Sequence, residues 1–149
     1  MTGGTRRLAG RGGQNLVEFS VGALLTVIML LFIVEIGRIV LVYTTVANAA
    51  RAGVRYAVVH GSTRSAGATV DSASGPGSDP AQVLTVVKNF ASAGLLTTSR
   101  LVVHVNYPSG SNAPGQYVTV TVIYPYDPLT TYFSKTLRLG SATQGIIAF

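Results

Sequence analysis

The sequence predicts an α+β protein in which one long N-terminal helix, apolar enough to leave water, carries a small antiparallel β-sheet head with one additional helix. Three observations lead there. No charged residue occurs from Phe19 to Val34, a run whose natural surroundings are lipid or other apolar helices. Two later stretches, Leu101 to Tyr107 and Tyr117 to Tyr126, are rich in β-branched and aromatic residues and are joined by a Pro/Gly/Ser/Asn loop, the pattern of a β-hairpin. The chain has 149 residues, so one anchor leaves room for only one modest head. Composition agrees: 11% of residues are charged where soluble domains carry about a quarter, and the mean hydropathy is +0.44.

Residues Met1 to Gly13 are glycine-rich and contain Arg6, Arg7 and Arg11 but no acid. Such a composition buries little and reads as a flexible leader. The uncharged run that follows spans about 24 Å as a helix, short of the roughly 30 Å of bilayer hydrocarbon. Leu16, Val17 and Ile39 to Val42 lengthen it, giving a candidate membrane segment over about 16–42. Glu35 and Arg38 lie one turn apart and either pair or reach the headgroup layer.

No proline interrupts the chain before Val59, and Val46, Ala47, Ala49, Ala50, Ala52 and Ala57 suit a helix. The expectation is one helix over 14–59, about 68 Å long, whose second half exceeds what a bilayer needs. Arg51 and Arg55 share one face. Tyr43, Val46, Ala50, Val54 and Ala57 form an apolar stripe away from it that suits the sheet of the head.

The head extends over 60–149. His60 to Pro80 is a polar loop with Gly75-Pro76-Gly77 as turn chemistry. Asp79 is placed to cap a helix that has Pro80 at its first position and ends near Gly94, with Val83, Leu84, Val86, Val87, Phe90 and Leu95 on its apolar side. A third strand, Leu137 to Phe149, completes the sheet, with Gly140 and Gly145 interrupting it.

The formal net charge is +6, but the basic residues are dispersed and not interleaved with aromatics, which argues against nucleic acid. Basic residues flanking a membrane segment explain the balance equally well. The absence of cysteine excludes disulfides, thiolate metal sites and cysteine nucleophiles. His60 and His104 have no acid companions at ligand spacing, so neither metal nor other cofactor is expected and both histidines read as surface or loop residues. No Ser-His-Asp grouping, P-loop or dinucleotide fingerprint is present, which leaves catalysis, and a small-molecule substrate, with little to use. Asp127 between Tyr126 and Pro128 reads as turn chemistry. The seven tyrosines read as sheet-packing or interfacial side chains rather than an adhesive surface.

Gly13-Gln14-Asn15-Leu16-Val17-Glu18-Phe19, behind the basic leader and ahead of the apolar run, resembles the cleavage site of type IV prepilins. In that family a membrane aspartyl peptidase cuts after the glycine and a glutamate stands fifth in the mature chain. The resemblance makes Gln14 the new N-terminus and Glu18 that glutamate. Glycine lets backbone enter a protease cleft without side-chain obstruction. An acid inside an apolar segment costs roughly 2.5 to 3.5 kcal/mol at a helix centre, which marks Glu18 as functional. It either pairs with the Gln14 ammonium of a neighbouring subunit or complements the helix N-terminus.

Glu35-Ile36-Gly37-Arg38 and the later Asn48-Ala49-Ala50-Arg51-Ala52-Gly53-Val54-Arg55-Tyr56-Ala57 resemble the TadE-like proteins of tight-adherence (Tad) pilus systems, most strongly over 13–59. Tyr124-Pro125 also looks like a later strand of these proteins. Two departures stand out: Val21-Gly22-Ala23 occupies a place where many such chains have an early proline, and Ala52 one where glutamate is frequent. The resemblance implies a minor pilin or pseudopilin, with an uncatalytic role in pilus assembly and adhesion. Its implied partners are membrane lipid, a prepilin peptidase, other pilins or pseudopilins and the assembly machinery. It also implies a single pass of the cytoplasmic (inner) membrane with the head outside the cytoplasm, and possible incorporation in an extracellular pilus. Loss of the leader lowers the formal charge from +6 to +3, because three arginines leave with it. Two rival readings are an uncleaved single-span tether for a small binding domain, and a secreted protein with a conventional signal peptide. The latter is disfavoured because Glu35-Ile36-Gly37-Arg38 offers no Ala-x-Ala site.

Overall fold

Helix α1 runs without interruption from Arg11 to Val59, as a proline-free sequence allows. The computed structural model describes residues 11–62, 80–129 and 136–148. After α1 come α2 (Ala81–Ala93), a 3-10 turn (Thr98–Arg100), and three strands, β1 (Val102–Asn106), β2 (Tyr117–Tyr126) and β3 (Leu137–Ile146). The chain divides into two compact units, Met1–Gly37 and Arg38–Phe149. These elements give the α+β class that the sequence predicts.

The described part of the first unit is the N-terminal part of α1. It reaches back through Gly13 and Gly12 to Arg11, inside the arginine-bearing segment that composition alone makes a flexible leader. Large apolar side chains here are exposed around the whole helix, including Leu16, Phe19, Leu24, Leu31, Phe32 and Ile36. Its hydroxyls do not need water: Ser20 Oγ donates to the Leu16 carbonyl at 2.7 Å and Thr26 Oγ1 to the Gly22 carbonyl at 2.8 Å. Such back-bonding satisfies a polar group inside its own helix, the condition for placing it in hydrocarbon. By length and composition α1 is able to cross a membrane.

In the second unit the same helix becomes one-sided. Val42, Val46, Ala49, Ala50, Val54 and Ala57 are buried, while Asn48, Arg51 and Arg55 are exposed. Tyr43 departs from the expected stripe and is half-exposed. Val42 and Val46 lie a turn apart on the buried line, and Tyr43, next to Val42, is turned off it.

The sheet is antiparallel in the order β1-β2-β3. Register places Val105 opposite Val120 and Val120 opposite Thr143. One face carries the buried Val103, Val105, Val118, Val120, Val122, Tyr124 and Tyr126, which join the α1 and α2 side chains in one core. Pro125 sits in the middle strand without breaking the ladder, since pairing with β1 ends at Ile123. On that side its missing N–H has no partner to lose.

Glycines set how closely the layers approach. A Cβ on Gly53 would lie 2.6 Å from Val87 Cγ2 on α2 and 3.2 Å from Val120 Cγ1 on β2. A Cβ on Gly145 would lie 2.6 Å from Val54 Cγ1 and 2.7 Å from Val58 Cγ2 on α1. Gly140 and Gly145 therefore do not interrupt β3; Gly145 is what lets it lie against the helix. The strand ends at Ile146 rather than Phe149, where the Ile147 N–H donates to the Gln116 carbonyl and the Ala148 N–H to the Val58 carbonyl. Helix α2 begins one residue later than expected, with Pro80 as its N-cap. The expected capping by Asp79 falls outside the described residues.

Gly53→Ala tests this close approach. The helix gains about 1 kcal/mol from replacing glycine, but overpacking against two valines costs typically 1 to 3 kcal/mol. A lowered thermal midpoint is expected, with recovery in the Gly53→Ala/Val87→Ala double variant. An unchanged midpoint would show that the core yields at this crossing.

Candidate functional site

The residues singled out in the sequence fall into three places on α1. Gly13, Gln14 and Glu18 occupy its N-terminal turns, all exposed, and a Cβ on Gly13 would meet nothing within 4 Å. Substitution at Gly13 therefore disturbs no contact among the described residues. Glu35 is only 7% exposed, whereas Gly37 borders open space and Arg38 is half-buried.

The third group splits by side-chain size. Gly53 belongs to the core crossing, together with the buried Ala49 and Ala50. Asn48, Arg51 and Arg55 point outward, and Arg51 Nη1 donates to Asn48 Oδ1 at 3.0 Å. Tyr56 stacks on His60 with ring centroids 3.8 Å apart and an interplanar angle of 15°. His60 Nδ1 is 2.7 Å from the Tyr56 carbonyl, which only accepts, so Nδ1 carries the proton. His60 is a loop histidine, at the bend after α1, but a buried one, because this stack and hydrogen bond fold it back against the end of α1. His104 is exposed on β1. Of the tyrosines, Tyr107, Tyr124 and Tyr126 are buried and Tyr43 and Tyr117 half-exposed. Tyr132 lies outside the described residues.

A cleft of about 250 Å³ in the second unit gathers residues that sequence reasoning did not connect. Its lining includes Arg38 and Leu41 of α1, Leu95, Arg100, Tyr126 and Asp127. The Arg38 guanidinium lies 5.3 Å from the centroid of the Tyr126 ring, a cation–π arrangement. Arg100 Nη2 and Asp127 Oδ2 form an ion pair of 2.7 Å. Hydrogen bonds from Arg100 and then Thr136 hold the Asp127 carboxyl below its ordinary value of 3.8. Asp127 is thus an ion-pair partner as well as the neighbour of a turn proline. Nothing in the sequence links it to Arg100, since the strand pairing that joins them is a tertiary fact.

Helix α2 ends beside this cleft in a Schellman arrangement: the Leu95 N–H donates to the Ser92 carbonyl and the Leu96 N–H to the Ala91 carbonyl. The residue that takes the left-handed conformation is Leu95, at φ 64°. Gly94, one position earlier, has φ −85° and needs no such freedom. What it requires is room, because a Cβ there would overlap the Thr45 side chain of α1. Among the described residues no three His, Cys, Asp or Glu side chains group as metal ligands.

An anchor helix exposed on all sides, continuing into a head with a core of its own, defines a membrane-anchored α+β protein. Residues 13–55 match the model of a protein family described as TadE-like protein, the family that the prepilin-type start and the helix motif resemble. Over that segment the chain is similar to TadE-like proteins of Tad pilus systems, and the match stops before α2 and the sheet. No curated protein and no solved structure matches the chain.

The Arg100–Asp127 pair has a definite pH signature. The folded carboxyl titrates below 3.8, so the unfolded chain takes up this proton first. The contribution of Asp127 to stability is complete above that pH and declines as pH falls through the lowered folded value. Thermal midpoints of the native protein and of Asp127→Asn, followed from neutral pH downward, should converge below 3.8; curves that stay parallel would remove the pair from the stability of the head.

Proposed function

We propose that this chain is a minor pilin or pseudopilin of a Tad pilus or a related secretion system. A prepilin peptidase cuts after Gly13, and the protein begins work in the inner membrane with its head outside the cytoplasm. The supporting observation is the N-terminal part of α1, apolar and exposed on every side. Each large apolar side chain removed from water contributes about 1.5 to 3 kcal/mol, so a surface of this extent does not stay hydrated. Lipid satisfies it before assembly, and the equivalent helices of other subunits satisfy it in a filament. The role is structural, with assembly carried by packing of the apolar helix and adhesion by the head.

Glu18 places a carboxylate on that surface. Once cleavage exposes the Gln14 ammonium, a carboxylate one helical turn along can neutralise the ammonium of a neighbouring subunit, which offsets the penalty of burying either charge. The exposed Asn48, Arg51 and Arg55 stand on the same helix within the head unit, available to neighbouring subunits.

A second reading, the uncleaved single-span tether, draws on the continuity of α1 through the Gly13–Gln14 bond to Arg11. A helical substrate must unwind before a peptidase can cut it. Intact mass of the protein from cells separates the two readings, because processing removes Met1 to Gly13.

Gly13→Phe should leave a precursor of full mass in the membrane with the head folded normally, as the position faces open space. N-terminal sequencing that finds Gln14 first in this variant would overturn the cleavage assignment. Glu18→Ala should still be cut yet reach sheared surface filaments at roughly one-tenth of the native level, the effect of losing about 1.4 kcal/mol per contact. Native filament levels would remove Glu18 from assembly.

A further inference from the structure

We propose that the outer face of the sheet pairs with the same face of a second copy of this chain, with Val102 of each copy seated over Gly140 of the other. The inference rests on the head and not on cleavage or filament assembly.

The core lies on one side of the sheet. Alternation puts the even-numbered residues of β1 and β3 and the odd-numbered residues of β2 on the other side, and none of these described positions is buried. Val102 is 44%, Tyr117 50% and Ile146 54% exposed. Arg138, near the start of β3, is the only Asp, Glu, Lys or Arg among them. A solvated sheet face ordinarily turns polar residues outward, and about a quarter of the residues of a soluble domain are charged. This face instead has apolar pairs towards both ends, Val102 with Ile123 and Tyr117 with Ile146, and Thr119 and Thr121 between them.

Gly140 is the second observation. It lies inside β3, where glycine weakens a strand and marks a bulge or the close approach of another backbone or ligand. No bulge is present: the β2–β3 ladder runs unbroken from Tyr117 opposite Ile146 to Tyr126 opposite Leu137. Gly140 takes no left-handed φ. A Cβ there would meet Ile123 Cγ1 and the Val122 carbonyl at 3.5 Å, ordinary contact distances. Nothing within the described head therefore requires glycine at this position, in contrast to Gly53 and Gly145. What the missing side chain leaves is a dimple on the outer face, in the same cross-strand row as Ile123 and Val102.

That row makes the face complementary to itself. A two-fold axis parallel to the strands and passing over β2 sets β1 of one copy above β3 of the other and keeps every residue at its own height. Val102 then meets Gly140 of the other copy, twice by symmetry, and Ile123 meets its own counterpart, an isologous contact. Aligned sheets pack about 10 Å apart at roughly 30°. At the edge strands this angle displaces the two copies by roughly 2 Å, less than the rise of one residue.

The same axis keeps the two α1 helices parallel. Within the head α1 lies along the strands: Arg38 is beside Tyr126, Gly53 beside Val120, and Val54 beside Gly145, which pairs with Val118. The Arg38 ends of both helices therefore lie at one end of the pair, as two chains inserted in one membrane require. Antiparallel edge-to-edge pairing of two β3 strands would turn the helices opposite ways. The face measures about 14 Å by 30 Å, which puts the pair near the low end of specific interfaces, about 1,000 Å² in total. The association is accordingly weak and reversible, and sharing a membrane or a filament raises its occupancy.

The chain contains no cysteine, so Thr85→Cys, exposed on α2 on the core side of the sheet, gives the full-length protein one dye position away from the face. Energy transfer between donor- and acceptor-labelled copies in neutral detergent should rise with protein concentration. Gly140→Val should weaken the association at least tenfold while the thermal midpoint stays level or rises, because the head has room for the side chain. Exchanging knob and dimple in Val102→Gly/Gly140→Val should return it to within about threefold of the native value, a rescue that a merely structural role would not give. Independently, Thr121→Cys on an otherwise native chain should give a covalent dimer with a short bismaleimide, in at least five times the yield of Thr85→Cys.

Association unchanged by Gly140→Val would assign it to the anchor helix and overturn the sheet face. A chain that stays monomeric at all concentrations, or equal cross-linking at 121 and 85, would overturn it too. None of these outcomes bears on processing at Gly13, which intact mass reads separately.

Discussion

The close approach of α1 to α2 and the sheet is the constraint on which the head depends. At Gly53 the helix axis comes near enough to Val87 and Val120 that a single methyl has no space, and Ala49, Ala50 and Ala57 extend the small-residue line along the same face. Gly145 performs the reciprocal service on β3, where Val54 and Val58 occupy the room a side chain would take. Interiors pack at crystalline density, so such a crossing admits few other residues. The Ala-Ala-Arg-x-Gly-x-Arg pattern is in this light a packing code with exposed arginines between its small residues, and it needs no chemistry to explain it.

The same helix answers a different demand in its N-terminal part. There the apolar residues face all directions, and the few hydroxyls bond to their own backbone carbonyls. A soluble helix spreads polar residues over its outer face. This one has no charged residue from Phe19 to Val34, and its charged outer face, with Arg51 and Arg55, belongs to the head unit. The transition from all-round exposure to one-sided burial within one uninterrupted helix is the structural statement of an anchor that becomes part of a domain.

The cleft gathers residues from α1, the loop after α2, the 3-10 turn and the end of β2. Leu95 sits in a strained conformation with its side chain in water, and Arg38 and Arg100 stand near each other with a single acid in the lining. Gly94, one residue before the left-handed position, is reserved for close approach, since a side chain there would overlap Thr45 of α1.

Much of this was legible in the chain itself. Period and composition alone fix the long helix, the β1–β2 hairpin and α2, because each depends on short-range rules of helix propensity, alternation and turn chemistry. The prepilin-type start and the helix motif are equally local, and both lie within one element. Tertiary packing alone decided that Gly145 serves β3 rather than breaking it, that Tyr43 leaves the buried stripe and that His60 turns inward onto Tyr56. It also decided that Asp127 meets Arg100 and that Leu95 takes the left-handed turn. Each of these depends on which residue of a separate element arrives within a few ångströms, and a linear pattern holds no record of that distance.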